Sequence, residues 1–207
     1  NLYSAFRCAQ YLKSNHPTIK IAMGGGFPNT ELRSVTDVRV FEFFDFITLD
    51  DGELPIELLI SNIQNPNSKE FKRTFLLENG SVVYKNNSSK SDYKQSDIGT
   101  PDYSDLLLSE YISVIEIANP MHSLWSDGRW NKLTMAHGCY WGKCTFCTHS
   151  FVYGHRYGKQ KTQAMVDELE KLMKKYNTKY FTFSDEAVSP HSLNDVSEEM
   201  IERGVEI

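Results

Sequence analysis

Three of the chain's four cysteines stand within nine residues, in Gly138-Cys139-Tyr140-Trp141-Gly142-Lys143-Cys144-Thr145-Phe146-Cys147. With no export signal expected from this sequence, such a cluster points to a metal or cluster site before disulfides. Three thiolates at C-x4-C-x2-C do not close a tetrahedral zinc site, but they can hold three irons of a cubane cluster. The fourth iron is then open to a substrate or cofactor. Gly142 lets the loop turn tightly, and backbone N–H groups there can hydrogen-bond the sulfides. Tyr140, Trp141 and Phe146 are expected to keep water away. A Cys3His zinc site is the alternative, with His149 or His137 as fourth ligand.

Other candidates follow apolar runs. Tyr180–Phe183 ends in Ser184-Asp185-Glu186, an acidic tip that equally suits a solvated strand end or a helix N-cap. Ile19–Met23 is followed by Gly24-Gly25-Gly26-Phe27-Pro28, and Phe46–Leu49 by Asp50-Asp51-Gly52-Glu53. Both Gly-rich ends offer a backbone wall for a ligand, and Gly24–Gly26 equally suits a plain strand-to-helix turn. Arg156 reads as a surface or helix-cap charge, or a partner for a ligand carboxylate. Cys8 lies beside an apolar helical stripe and reads as a buried small hydrophobe.

The elements that must hold these residues come from periodicity. Leu2, Ala5, Phe6, Ala9 and Leu12 predict a helix over 2–14, closed before Pro17. Strands are expected at 19–23 and 46–49, a helical turn at 31–35 and a helix at 54–63. Residues 1–65 thus read α-β-α-β-α, the alternation of a parallel sheet, with more strands expected before Asn1. Residues 66–131 differ. Runs 71–77 and 82–85 flank Asn79-Gly80, a strong hairpin signal. Residues 85–96 read as an exposed polar loop, and a short helix is expected near 106–111. Residues 132–207 alternate again, with strands at 132–136 and 179–184 and helices at 162–176 and 193–203. In the helix at 162–176, Met165, Leu169 and Leu172 face inward, and Asp167, Glu168, Glu170 and Lys171 face away. Gly204 stops the last helix, and Val205–Ile207 opens a further strand. That order predicts the first part of a parallel (β/α) barrel.

The chain has 207 residues, is 40% hydrophobic and 24% charged, and carries a net charge of −5. This is globular composition, and the acidic balance disfavours a nucleic-acid partner. No apolar run reaches the roughly 18 to 20 residues that span a bilayer, so no membrane partner is expected and a cytoplasmic location is. The first residue is not Met and the last run breaks off in mid-pattern, so the sequence reads as an internal piece of a longer protein.

The cysteine stretch resembles the cluster-binding loop of radical S-adenosylmethionine (SAM) enzymes, and the fuller order resembles the subgroup with an N-terminal cobalamin-binding domain. The family pattern is C-x3-C-x2-C with an aromatic residue before the last Cys. Phe146 stands at that place, and one extra residue separates Cys139 from Cys144. Residues 153–157 and the helix after them are similar to the family's segment after the cluster. Residues 180–186 resemble its second barrel strand, whose end contacts the SAM amino group; Asp185 and Glu186 stand where Gly-Gly-Glu is usual. Gly24-Gly25-Gly26 and Asp51-Gly52-Glu53 resemble two segments that lie beside the nucleotide tail of cobalamin.

The resemblance implies a partial doubly wound, Rossmann-like cobalamin-type domain (1–65), a hairpin and linker (66–131), and the start of a radical SAM partial TIM barrel (132–207). It implies a [4Fe-4S] cluster on Cys139, Cys144 and Cys147. SAM is implied beside Phe146, Ser184, Asp185 and Glu186, and cobalamin beside Gly24, Gly25, Gly52 and Glu53. The implied activity is reductive SAM cleavage and radical chemistry, with cobalamin-dependent methyl transfer to a small-molecule or peptide substrate as one form. The electron donor would be a flavodoxin or ferredoxin. A methylthiotransferase-like enzyme and a non-catalytic zinc module are the competing readings.

Overall fold

The computed structural model describes residues 2–65, 67–107, 110, 131–147 and 157–207. It divides into two compact units, Asn1–Tyr93 and Lys94–Ile207.

In the first unit, α1 (Leu2–Asn15) turns Ala9 into the core with Ala5 and Phe6 beside it. Phe6 meets Phe43 and Phe44 edge-on, with centroids 5.0 Å apart. Cys8 is exposed, contrary to its expected burial, because it lies about 100° around the helix from Ala9. β1 (Ala22–Met23) pairs in parallel with β2 (Phe46–Thr48), Ala22 opposite Phe46. β1 is shorter than expected at its start, because the Ile21 N–H donates to the Asp45 carboxylate at 2.8 Å instead of to a strand. The helix expected at 31–35 begins earlier, as α2 (Gly26–Glu31). Gly25 has φ 92° and ψ −165°, a region open to glycine alone, so the chain turns at once; Pro28 is tolerated in the first helical turn. α3 (Glu53–Gln64) then buries Leu54, Leu58 and Leu59.

The hairpin forms as expected: β3 (Thr74–Glu78) and β4 (Ser81–Lys85), with Asn79 and Gly80 both at positive φ in the turn. It does not stand apart. β3 pairs antiparallel with β2, and the sheet runs β1-β2-β3-β4. The doubly wound parallel sheet expected here is therefore a mixed sheet with one parallel pair. Phe75, buried on β3, joins Ile47, Leu49 and Met23 in one core, which is why the hairpin belongs to this unit. The polar stretch after it is strapped down as well. Lys72 Nζ donates to the Ser88 and Lys90 carbonyls at 3.4 and 2.7 Å, and Tyr93 bonds Glu57.

The second unit is a β-α-β arrangement. β5 (Asn131–Leu133) and β8 (Phe181–Phe183) pair in parallel, Leu133 opposite Phe183. Between them lie a two-residue ribbon, β6 (Ala136–His137) against β7 (Gly158–Lys159), and helix α4 (Thr162–Tyr176). α5 (Pro190–Arg203) follows β8. Ser189 caps it by accepting from the Ser192 N–H at 3.2 Å, Pro190 starts it, and Gly204 ends it at φ 67°. Leu133, Met135, Met165, Leu169, Leu172 and Val196 form the core. Arg203 ties the two helices, reaching Asp167 on α4 at 2.5 Å and Glu199 on its own helix at 2.7 Å.

Two expectations fail here. Glu168 is 6% exposed, not outward-facing, since a residue between Met165 and Leu172 on consecutive turns shares their face. Val205–Ile207 makes no strand among the described residues. The Val205 N–H is spent on the Met200 carbonyl at 2.9 Å, which closes α5. Of the helix expected near 106–111, residues 108, 109 and 111 lie outside the described residues. No helix among those described is long and apolar enough to cross a membrane.

Candidate functional site

The cysteine loop leaves the β5 end of the parallel pair. Gly138 (φ 82°) and Gly142 (φ 57°) take the left-handed turns that bend it, as expected for Gly142. Cys139, Cys144 and Cys147 are all half-buried, and none of the chain's four cysteines is in a disulfide. The Cys147 N–H donates to the Cys144 carbonyl at 3.2 Å, so a single turn carries these two thiols. Among the described residues no three metal-ligating side chains are gathered into a binding group. The donor set, three thiols on one tightly turned loop, fits three irons of a cubane cluster in chemistry and in chain order.

The aromatic residues do not close over the loop. Phe146 is 88% exposed, Trp141 55% and Tyr140 46%, and Lys143 Nζ sits over the Trp141 ring, 5.4 Å from its centroid. The expected exclusion of water by these rings is thus not built by the described residues. His149, Arg156 and residues 153–156 lie outside the described residues.

The β8 end runs beside the loop. Cys139 bridges Ala187 in parallel, so the acidic tip and the first thiol are neighbours. The side chains between them do different things. Ser184 donates through its N–H (2.8 Å) and its hydroxyl (3.3 Å) to the Leu133 carbonyl. Asp185 is half-buried and accepts from the Met135 N–H at 3.1 Å and the Ala136 N–H at 2.6 Å. Glu186 is exposed. Beneath the β6–β7 ribbon, Gln160 donates from Nε2 to Glu168 at 3.0 Å, and its Oε1 is buried with no hydrogen-bond partner. Burial pushes the Glu168 carboxyl above its ordinary range, against the Gln160 hydrogen bond and the nearby Lys171 charge.

In the first unit, Gly24, Gly25 and Gly26 are exposed after β1, and Gly52 with Glu53 opens α3 after β2. A Cβ at Gly24 would stand 3.0 Å from Thr48 Oγ1, so close packing of β1 on β2 explains this glycine. Gly25 is explained by its backbone. Gly26 faces open space, and at Gly52 a Cβ would meet only Ile56 Cδ1, at 3.8 Å.

Sequence reading missed a polar network beside these strand ends. Asp50, at φ 62°, accepts from Arg33 at 2.6 and 3.4 Å, and its N–H donates to Asn29 Oδ1 at 2.7 Å. Arg73 lies 3.6 Å from Asp50, donates to the Leu49 and Asp51 carbonyls, and pairs with Asp92. The single signal in sequence is a charged residue, Arg73, opening an apolar strand.

The described residues thus define an α/β protein with a three-thiol loop at one end of a parallel strand pair. No family model matches the chain. Over 213 aligned residues it is 24% identical to an uncharacterized methyltransferase of Pyrococcus horikoshii, covering 100% of this chain and 42% of that protein. Its fold is similar to that of the radical S-adenosylmethionine methyltransferase TsrM from Kitasatospora setae. The structure with tryptophan substrate and a SAM analogue matches at TM-score 0.62 and 15% identity, over 96% of this chain and 36% of that one. The structure with cobalamin and a [4Fe-4S] cluster matches at TM-score 0.61 and 14% identity, over 96% and 37%. The chain therefore spans well under half the length of these proteins, and the likeness to the solved structures is one of fold.

Proposed function

We propose that this chain is part of a radical SAM enzyme, with methyl transfer as the reaction class. The observation that carries the reading is the bridge between Cys139 and Ala187, which sets a C-x4-C-x2-C loop beside the acidic end of the neighbouring parallel strand. The fold likeness to TsrM and the distant likeness to a methyltransferase support it.

Cys139, Cys144 and Cys147 would hold the cluster. When bound, a [4Fe-4S] cluster supplies one electron to the SAM sulfonium and so starts radical chemistry. Glu186, exposed at the strand end, would meet the SAM ammonium, with Ser184 on the same strand end and Phe146 on the cysteine loop. In the first unit, Gly24 and Gly25 with Gly52 and Glu53 would flank the cobalamin tail. A flavodoxin or ferredoxin would supply the electron, and the substrate would be a small molecule or a peptide.

Anaerobic purification with iron, sulfide and zinc analysis tests the reading. A brown protein with about four iron and four labile sulfide per chain is expected. Cys139→Ala, Cys144→Ala or Cys147→Ala should each abolish most iron incorporation, while His149→Ala leaves it unchanged. A colourless protein with one zinc, or normal iron in Cys144→Ala, overturns it.

A further inference from the structure

The pairing between β5 and β8 changes register within a few residues. Leu133 stands opposite Phe183, and Cys139 opposite Ala187. One chain advances six residues while the other advances four, so the β5 side carries two extra residues where the loop begins. Extra residues in a ladder leave N–H groups without a backbone acceptor across the pair. Here those groups belong to Met135 and Ala136, and the Asp185 carboxylate takes both, at 3.1 and 2.6 Å. Met135 and Ala136 are buried, so water is a poor substitute. On the other side the Met135 carbonyl accepts from the Gln160 N–H at 3.0 Å, which fixes the same peptide from both faces.

We infer that Asp185 is a positioning residue that sets the register of the Cys139 arm, rather than a ligand to SAM. The inference rests on the proposed function and assigns its strand-end carboxylates two jobs. Asp185 faces inward and holds the bulge three residues before the first thiol, which leaves Glu186 to face the ligand. The side-chain type follows from the geometry. Two adjacent N–H donors need two acceptor oxygens. A carboxylate provides both, whereas an amide provides one and turns a donor toward the other N–H. Groups that orient a metal-binding side chain without touching the metal typically change affinity by ten- to a hundredfold when removed.

The test compares Asp185→Asn with wild type in the complete protein, reconstituted anaerobically with iron and sulfide. Iron loss to a chelator is followed by absorbance, without SAM. Loss about tenfold faster in Asp185→Asn is expected, with SAM affinity per assembled cluster unchanged. Arg203→Ala, which weakens the α4–α5 tie in the same unit, should leave the rate of iron loss at the wild-type value. Unchanged iron loss with weakened SAM binding would overturn the inference and make Asp185 a SAM ligand. Equal acceleration in Arg203→Ala would also overturn it, because the effect would then be general destabilisation. A wild-type protein that takes up no cluster would overturn the proposed function instead. Hydrogen exchange of the Met135 and Ala136 amides in metal-free protein then still decides the positioning role. It should be about tenfold faster in Asp185→Asn, and equal protection in the two proteins refutes it.

Discussion

Arg73 and Asp92 form a two-pronged ion pair, Nη2 to Oδ1 at 2.7 Å and Nη1 to Oδ2 at 3.0 Å, with side chains only 10% and 12% exposed. The pair joins the entry of β3 to the stretch that follows the hairpin. Arg73 also donates to the Leu49 and Asp51 carbonyls, so it pins that stretch to the end of β2.

Removing one partner of a buried pair costs about 3 to 5 kcal/mol where the remaining charge is left uncompensated. Asp92→Ala should lose less, about 2 kcal/mol, because Asp50 stays 3.6 Å from Arg73 and some solvent reaches the site. Arg73→Ala should lose more, because it also removes the hydrogen bonds to the Leu49 and Asp51 carbonyls. Urea unfolding followed by circular dichroism measures both. A loss within about 0.5 kcal/mol for Asp92→Ala would mean the pair behaves as a surface bridge.

Glu168 yields a pH-dependent expectation. Burial raises its folded pKa above the ordinary value of 4.5, so the native state binds a proton more readily than the unfolded chain. Stability contributed by the protonated form is then present below the unfolded value and is lost as pH rises through the raised one. Glu168→Gln removes that loss, and the new amide can donate to Gln160 Oε1, which is otherwise unpaired. The variant should melt higher than wild type at pH 7 and equal to it at pH 4. A lower melting temperature at pH 7 would show that the carboxylate itself stabilises the unit.

The glycine run separates backbone strain from ligand access. Gly25→Ala forces a side chain into a glycine-only conformation and should cost about 1 to 3 kcal/mol. Gly26→Leu meets open space at the first position of α2 and should leave stability within about 0.5 kcal/mol. If this wall takes a corrinoid, Gly26→Leu should still block hydroxocobalamin from co-eluting with the complete protein on gel filtration, by bulk alone. Co-elution equal to wild type would move the corrinoid elsewhere, and no co-elution with wild type would remove cobalamin from the proposed function.

Much was legible from local chemistry. The helical stripes of α1, α3 and α4, the Asn79-Gly80 hairpin and the Gly204 stop depend on contacts within a few residues, and each stands where its spacing puts it. The thiol loop was legible for the same reason: its three cysteines lie in one short stretch, and Gly142 turns it. Partners far apart in sequence were not legible. The hairpin's place in the sheet depends on Phe75 reaching a core built by Ile47 and Met23. Nothing in residues 66–131 encodes that pairing locally. The same holds for Arg73, which finds Asp50 and Asp92 some twenty residues away on either side, and for Cys8, whose exposure depends on where α1 docks.

Asp185 shows the division most plainly. Its sequence position, at the end of an apolar run near three cysteines, determined that a carboxylate would stand at the mouth of the thiol loop. Only the tertiary structure decided which way it points. The two-residue mismatch between β5 and β8 leaves two N–H groups in need of acceptors. Each buried N–H left unpaired would cost about 1 to 3 kcal/mol, and Asp185 meets both with charge-assisted hydrogen bonds while staying only half-buried, so it turns inward and Glu186 is exposed.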